Sequence, residues 1–193
     1  MLLLIAGLVL FLGTHSVSMI AQPWRDRVAG RLGEVPWKAV YGLLALSGLV
    51  LIVLGYGAVR QSPDAILLYV PPTWLRHVSL LLMLPVFPLL FAAYLPGRLK
   101  RAAKHPMLLA VKFWALAHLL ANGMLADLLL FGSFLAWAVA DRISLKRRVP
   151  APVPAAPEGK WNDLIVLAAG LALYVAFILG LHRWLIGVSP LGA

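Results

Sequence analysis

The sequence contains no cysteine, and this absence removes several kinds of chemistry at once. Disulfide bonds, thiolate metal sites and cysteine nucleophiles are excluded, and so is a c-type haem, whose attachment needs cysteines beside a histidine. Charged residues are also scarce, at 12% of the chain against about a quarter in ordinary soluble proteins. A soluble domain with a charged surface is therefore not expected.

Long hydrophobic runs take the place of the missing charge, and hydrophobic residues make up 62% of the chain. Several runs reach about 20 residues, the length that spans a bilayer as a helix. The sequence predicts an all-α, polytopic transmembrane bundle, with the first span retained rather than cleaved as a signal peptide. The six predicted spans are Leu2 to Ile20, Pro36 to Ala58, Trp74 to Leu95, Pro106 to Ala121, Met124 to Ala140 and Asn162 to Gly187.

Turn-forming residues predict how these spans are interrupted and joined. The Gly13 to Ser16 segment is expected to break the first span, and Pro85 and Pro88 to kink the third. Basic loops are predicted over 21–38 and 96–104. A stretch rich in proline and alanine marks an extended linker. We therefore divide the chain into a membrane domain of five helices (1–148), a linker (149–160) and an additional C-terminal helix (161–193).

The 17 basic residues are distributed unevenly along the chain. Only Arg60, Arg76 and Arg183 lie away from the regions that follow the first, third and fifth spans. The positive-inside rule then predicts that these regions are cytoplasmic and that both termini lie on the opposite, outer side of the membrane. The same pattern accounts for the net charge of +10 without a nucleic-acid partner and predicts contact with anionic membrane lipids.

The five histidines are the main candidates for chemistry. His182 and His77 each adjoin an arginine near a predicted span end and are interpreted as interfacial anchors. His105 directly precedes a proline, which suits either a helix cap or a functional role. His15 and His118 lie deeper in their spans, where an ionisable side chain predicts function.

Two deep histidines on different helices are able to hold a haem iron, as in membrane b-type cytochromes. By helical rise, His15 lies about 10 Å and His118 about 18 Å from the cytoplasmic end of its span. His77 matches the depth of His118 better, so spacing alone leaves the pair open. A di-iron carboxylate site is not expected, because Asp127 is the only clear carboxylate inside the spans.

Several motifs, in their order and spacing, resemble the NnrU family of bacterial membrane proteins. The resemblance covers roughly Met1 to Arg148 and implies an association with nitric oxide and nitrite metabolism in denitrifying bacteria. It also implies that the sixth span is a variable addition. The motifs are Gly13-Thr14-His15-Ser16, Gly33-Glu34, Lys104-His105-Pro106-Met107, Trp114 to Gly123 and Ala140-Asp141-Arg142.

The NnrU family is in turn similar to 15-cis-zeta-carotene isomerase, a membrane enzyme that uses haem b. This similarity implies a haem b with axial ligands at His15 and His118, and a neighbouring motif residue of unassigned role at His105. The isomerase carries a cysteine three positions before its second histidine, where this chain has Ala115. A mechanism in which that ligand exchanges on redox change is therefore not expected, and the site would be open to a gaseous ligand.

The haem hypothesis also needs cations for the two haem propionates. Arg25, Arg142 and Lys112 are expected near the cytoplasmic face, and arginine pairs well with carboxylates.

Four functions remain open from the sequence. The first is a haem b protein of nitric oxide or nitrite metabolism, acting as a sensor, redox protein or accessory factor. The alternative is a haem-dependent cis-trans isomerase of a polyene lipid. A third is a membrane methyltransferase or reductase, because Lys104 to Pro106 is similar to a pattern in isoprenylcysteine methyltransferases. The fourth is a structural protein whose histidines bridge helices. Whether the chain is an enzyme, and whether its sixth span mediates a homo-oligomer, stays open.

Overall fold

A computed structural model describes residues 1–148 and 153–192, and all regular secondary structure in them is helical. A π-helical turn, Phe177–Leu181, joins the last two helices. The predicted all-α class is confirmed. The helices are α1 (Leu2–Ile20), α2 (Gln22–Leu32), α3 (Glu34–Arg60), α4 (Thr73–Met83), α5 (Val86–Tyr94), α6 (Arg98–Ala103), α7 (Pro106–Ala121), α8 (Leu125–Ser144), α9 (Asn162–Ala176) and α10 (His182–Ile186).

Membrane character rests on four of the six predicted spans. In the described part of the chain, α7 is apolar but only 16 residues long, which is about 24 Å of helix. Helix α8 has 20 residues, and it carries Asp127, Asp141 and Arg142. The four segments long and apolar enough to cross a membrane are Leu2–Ile20, Glu34–Arg60, Thr73–Tyr94 and Asn162–Ile186.

Two stretches predicted as loops are helical instead. Most of 21–38 forms α2 and the start of α3, and most of 96–104 forms α6. Both helices are short and polar, so they lack the apolar periodicity by which a sequence reveals a helix. Pro23 does not oppose α2, because proline is tolerated in the first turn, where backbone N–H groups have no intrahelical acceptor.

Helix α1 runs without a break through the segment that was expected to interrupt it. The hydroxyl of Thr14 donates to the Leu10 carbonyl oxygen at 2.6 Å, and that of Ser16 donates to the Leu12 carbonyl oxygen at 2.7 Å. These bonds satisfy both polar side chains inside an apolar helix. The prediction of a break was wrong, because the hydroxyls bond to carbonyl oxygens of the same helix and do not compete with its backbone hydrogen bonds.

The third predicted span is divided at Pro85, as its proline content predicts. Helix α4 ends at Met83 and α5 begins at Val86. The Leu84 N–H donates to the Leu81 carbonyl oxygen at 3.3 Å, a tighter turn than an α-helix makes. Proline supplies no N–H to continue the hydrogen-bond ladder, so the helix changes course here.

The chain forms two compact units, Met1–Leu68 with Met124–Val149 and Tyr69–Gly123 with Pro150–Ala193, within the described residues. Residues 149–152, where the predicted linker begins, lie outside the described part. The division into 1–148, 149–160 and 161–193 stays a prediction, and the contacts group the helices differently. The last helix belongs with residues 69–123.

In the first unit, α1 packs closely along α3 through glycines. A Cβ atom on Gly48 would lie 2.7 Å from the Phe11 backbone nitrogen, and one on Gly7 would lie 2.6 Å from that of Ile52. Small residues let two helix backbones approach in this way, and dispersion contacts then stabilise the pair.

In the second unit, α9 packs against α5 through a similar close contact. A Cβ atom on Gly170 would lie 2.5 Å from the Pro88 nitrogen. The rings of Phe87 and Phe177 lie 4.9 Å apart between their centroids. These contacts fix the last helix in the second unit.

Candidate functional site

His15 lies on α1 with its imidazole held in one orientation. Its Nδ1 atom lies 2.7 Å from the carbonyl oxygen of Phe11, one helical turn earlier. Because a carbonyl oxygen only accepts, Nδ1–H donates this bond, and Nε2 is the nitrogen on the far side of the ring. Histidines that bind metals are commonly oriented in this way, by a hydrogen bond from the nitrogen that does not face the metal.

Three aromatic rings surround His15 and form what we term the His15 cluster. The ring centroid of Phe11 lies 4.2 Å from that of His15, the centroid of Tyr41 lies at 5.4 Å and that of Trp137 at 6.0 Å. The residues come from α1, α3 and α8, so three helices of the first unit meet at this imidazole. The surroundings of His15 are thus flat, apolar and aromatic.

The indole N–H of Trp137 is buried and finds no hydrogen-bond acceptor within residues 1–148 and 153–192. A buried donor without an acceptor costs about 1 to 3 kcal/mol. An acceptor on a bound molecule beside His15 would remove that cost. The His15 cluster therefore contains one buried hydrogen-bond donor that is left without an acceptor in the described residues.

The second unit holds His118 in the same local geometry. Its Nδ1 atom lies 2.8 Å from the Trp114 carbonyl oxygen, again one turn earlier on the same helix. The Asn122 side-chain amide donates to the His118 carbonyl oxygen at 2.9 Å, where α7 ends. Both bonds span four residues, so Trp114, His118 and Asn122 follow one another along one face of α7 and its C-terminal end.

His182 also lies beside His118, which sequence reasoning did not anticipate. The centroids of the two imidazoles are 6.5 Å apart and their planes are inclined by 26°. His182 Nδ1–H donates to the Val188 carbonyl oxygen, with 2.6 Å between the two atoms. The π-helical turn Phe177–Leu181 directly precedes His182, and such turns are frequent at functional sites.

The turn before α7 carries the Lys104-His105-Pro106 motif. Lys104 has φ 59° and ψ −49°, and the His105 N–H donates to the Ala103 carbonyl oxygen at 2.6 Å, so the chain makes here a γ-turn of the rare and strained kind that has positive φ. His105 occupies the N-cap position, but its side chain makes no capping hydrogen bond to the helix. A simple capping role for the imidazole therefore does not explain this histidine.

A further buried polar cluster in the first unit was missed by sequence reasoning. The Asp127 carboxylate accepts hydrogen bonds from the Tyr56 hydroxyl at 2.5 Å, the Arg60 guanidinium at 3.3 Å and the Met124 backbone N–H at 2.8 Å. Arg60 also donates to the Tyr56 hydroxyl oxygen at 3.0 Å. The sequence identified Asp127 only as a rare intramembrane carboxylate, and its two side-chain partners, Tyr56 and Arg60, are more than 60 residues away along the chain.

The predicted basic residues are divided between the units. Arg25 on α2 and Arg142 on α8 belong to the first unit, as His15 does, whereas Lys112 on α7 belongs to the second unit with His118 and His105. Arg25 forms an ion pair with Asp26 at 2.6 Å.

No group of three or more His, Asp or Glu side chains that could hold a metal ion occurs within the described residues. Binding a haem requires fewer side chains, because its porphyrin nitrogens supply four of the iron's ligands and the protein supplies one or two.

These features define an all-helical membrane protein with a partly buried, oriented histidine in each of two compact units. Residues 3–190 match the sequence profile of the family described as NnrU protein, so the chain belongs to the NnrU family. The match continues well past Arg148, where the motifs end, and it includes the last helix. Comparison with curated proteins gave no match, and comparison with solved structures gave none either.

Proposed function

We propose that this NnrU protein binds haem b in a bacterial inner membrane and acts in nitric oxide or nitrite metabolism, as a sensor, redox protein or accessory factor. His15 and His118 are the residues that would hold the haem iron. The observation that carries the proposal is their shared geometry, in which each imidazole donates Nδ1–H to the carbonyl oxygen four residues earlier, the kind of hydrogen bond that orients metal-binding histidines.

The His15 cluster adds support for a flat group with carboxylates. Phe11, Tyr41 and Trp137 present ring faces and edges to it, and the buried Trp137 N–H needs an acceptor. We propose that Arg25, Arg142 and Lys112 pair with the propionates and that His105 acts near the site in an unassigned role. A bound haem would supply an iron centre able to carry an electron or to bind nitric oxide.

An isomerase acting on a polyene lipid has less support. Ala115 stands where the zeta-carotene isomerase has its cysteine, and it is fully buried and offers iron no ligand. We therefore place sensing, electron transfer or an accessory role before catalysis.

We also propose that α7 and α8 cross the membrane, which gives six spans with both termini in the periplasm. The distribution of basic residues supports this orientation. A reporter enzyme that is active only in the periplasm should work when fused after Gly192 and fail when fused after Arg31. Activity at Arg31 would contradict the orientation.

The central experiment is the reduced-minus-oxidised absorbance spectrum of detergent-purified protein from cells with ample haem. Wild type is expected to show b-type bands, and His15→Ala and His118→Ala are expected to lose them. His77→Ala is the matched variant. His77 is exposed, and its predicted depth in the membrane made it the alternative to His15 as the partner of His118. Bands lost in His77→Ala but kept in His15→Ala would reassign the ligand, and wild type without haem would contradict the proposal.

A further inference from the structure

A groove in the second unit lies between α6 and the start of α9, outside the histidine sites. It has a volume of about 930 Å³, and we term it the α6–α9 groove. Its walls come from the turn at Pro96 and Gly97, from α6, and from residues 158–167. This volume falls in the range of sites that bind small molecules.

One end of the groove is basic. Arg98, Arg101 and Lys160 line it, and both arginines are exposed. The nearest opposing carboxylate that is still open to solvent belongs to Glu158, which lies 4.0 Å from Arg101 and is 78% exposed. An ion pair this long and this exposed contributes little, so the arginine is able to exchange it for a phosphate.

The second carboxylate of the groove, that of Asp163, is already engaged. It accepts hydrogen bonds from the backbone N–H groups of Arg98 at 2.9 Å and Leu99 at 3.1 Å. The Asn162 side-chain amide donates to the Pro96 carbonyl oxygen at 2.8 Å. These bonds tie the start of α9 to the turn before α6, so the groove has fixed walls.

The other end of the groove is apolar and belongs to a helix long enough to cross the membrane. Trp161, Leu164 and Leu167 line it and are 60%, 58% and 46% exposed. The Lys160 ammonium lies 5.4 Å from the Trp161 ring centroid, a cation–π contact. Tryptophan and lysine in this arrangement are typical of the boundary between head groups and acyl chains.

We propose that the α6–α9 groove binds one anionic phospholipid. Arg98, Arg101 and Lys160 contact its phosphate-bearing head group, and an acyl chain lies along Leu164 and Leu167. Charge and shape select this occupant, since a basic end matches the head group and an exposed apolar wall on a membrane helix matches the chain. The proposal does not depend on haem binding.

Trp161 provides the test, because bromine atoms on acyl chains quench nearby tryptophan. Wild type and Trp161→Phe are reconstituted with brominated phosphatidylglycerol or brominated phosphatidylcholine in an unlabelled bilayer, and the difference between the two proteins gives the Trp161 signal. Wild type is expected to be quenched at lower mole fractions of phosphatidylglycerol. In Arg98→Gln/Arg101→Gln, the preference for phosphatidylglycerol over phosphatidylcholine should fall about fivefold for each arginine removed. This factor corresponds to the attraction of one basic residue to an anionic lipid surface.

Arg27→Gln/Arg31→Gln is the matched control, because it removes the same charge from exposed positions on α2, outside the groove. It should keep the preference. Equal quenching by the two lipids in wild type would overturn the proposal. So would a preference that survives in Arg98→Gln/Arg101→Gln or disappears equally in the control. Soluble inorganic phosphate should not displace the lipid, since it lacks the acyl chain that the apolar wall contacts.

Discussion

At the scale of single residues, the polar groups inside the helices are satisfied mainly by their own helix or by one distant partner. His15 and His118 each bond to a carbonyl oxygen four residues earlier, as Thr14 and Ser16 do. Asp127 instead depends on α3, which supplies a hydroxyl and a guanidinium. The first arrangement stays within one helix, whereas the second joins two helices.

The Asp127 cluster predicts a large loss of stability when its carboxylate is removed. Asp127→Ala takes away the acceptor shared by Tyr56, Arg60 and the Met124 N–H, and is expected to lower the free energy of unfolding by about 3 to 5 kcal/mol. Denaturant unfolding in detergent, followed by tryptophan fluorescence, measures this. Asp26→Ala removes an exposed carboxylate paired with Arg25 and should change stability by no more than about 0.5 kcal/mol. Equal effects would contradict the assigned role of Asp127.

The sequence was sufficient to find the deep histidines but not their surroundings. His15 and His118 stand out because an ionisable group in an apolar run is rare. His182 lies beside His118 directly after a π-helical turn, and no residue pattern in Phe177–Leu181 predicts that turn. The sequence interpretation of His182 as an interfacial anchor accounted for its neighbour Arg183 and could not include a partner more than 60 residues away.

At the scale of the elements, the sequence predicted the long apolar helices but not the short polar ones. Helices α1 and α7 have the predicted bounds, because a span is defined by where its apolar run starts and stops. Helices α2 and α6 were predicted as loops, since their residues are mostly polar and basic. The division of the third span followed from Pro85, whose effect is local and does not depend on the rest of the fold.

The close packing of α1 on α3 predicts a marked difference between two glycines of the same helix. Gly48→Ala places a Cβ atom 2.7 Å from the Phe11 nitrogen, so the helices must separate, at a cost of about 1 to 3 kcal/mol. Gly42→Ala meets nothing within 4 Å and should be neutral or stabilise by up to about 1 kcal/mol, because alanine favours the helix. Thermal unfolding of both variants in one detergent tests this. Similar transition temperatures for the two would show that α1 and α3 pack less closely than described.

At the scale of the whole molecule, the last helix is the element whose place differs most from expectation. From composition, we predicted a separate helix after a proline-rich linker. The composition of a linker does not show whether the helix that follows packs against the rest of the protein. The structure ties it to the second unit by the Asn162 and Asp163 hydrogen bonds, the Gly170 contact with Pro88, and a hydrogen bond from the Tyr174 hydroxyl to the Leu80 carbonyl oxygen at 2.7 Å. The family match to residue 190 agrees with a structural role for this helix.

This packing predicts that the chain does not fold properly without its last helix. A protein of residues 1–152 is expected to aggregate or to unfold at a lower temperature than the full chain, because the face of α5 that contacts α9 is left without its partner. Size-exclusion chromatography and thermal unfolding in detergent measure this. Residues 153–193 expressed alongside as a separate segment should copurify and restore the full-length behaviour, since membrane helices associate after insertion as independent elements.

Two substitutions in the separate segment make this test specific for the described contact. Gly170→Leu places a side chain against the Pro88 backbone and should abolish rescue, whereas Gly180→Leu meets nothing within 4 Å and should leave it intact. A monodisperse and equally stable protein of residues 1–152 would show that the helix is dispensable. Equal rescue by both variants would show that it docks by another face. Rescue lost only in Gly170→Leu would establish that the family's C-terminal helix completes the second unit.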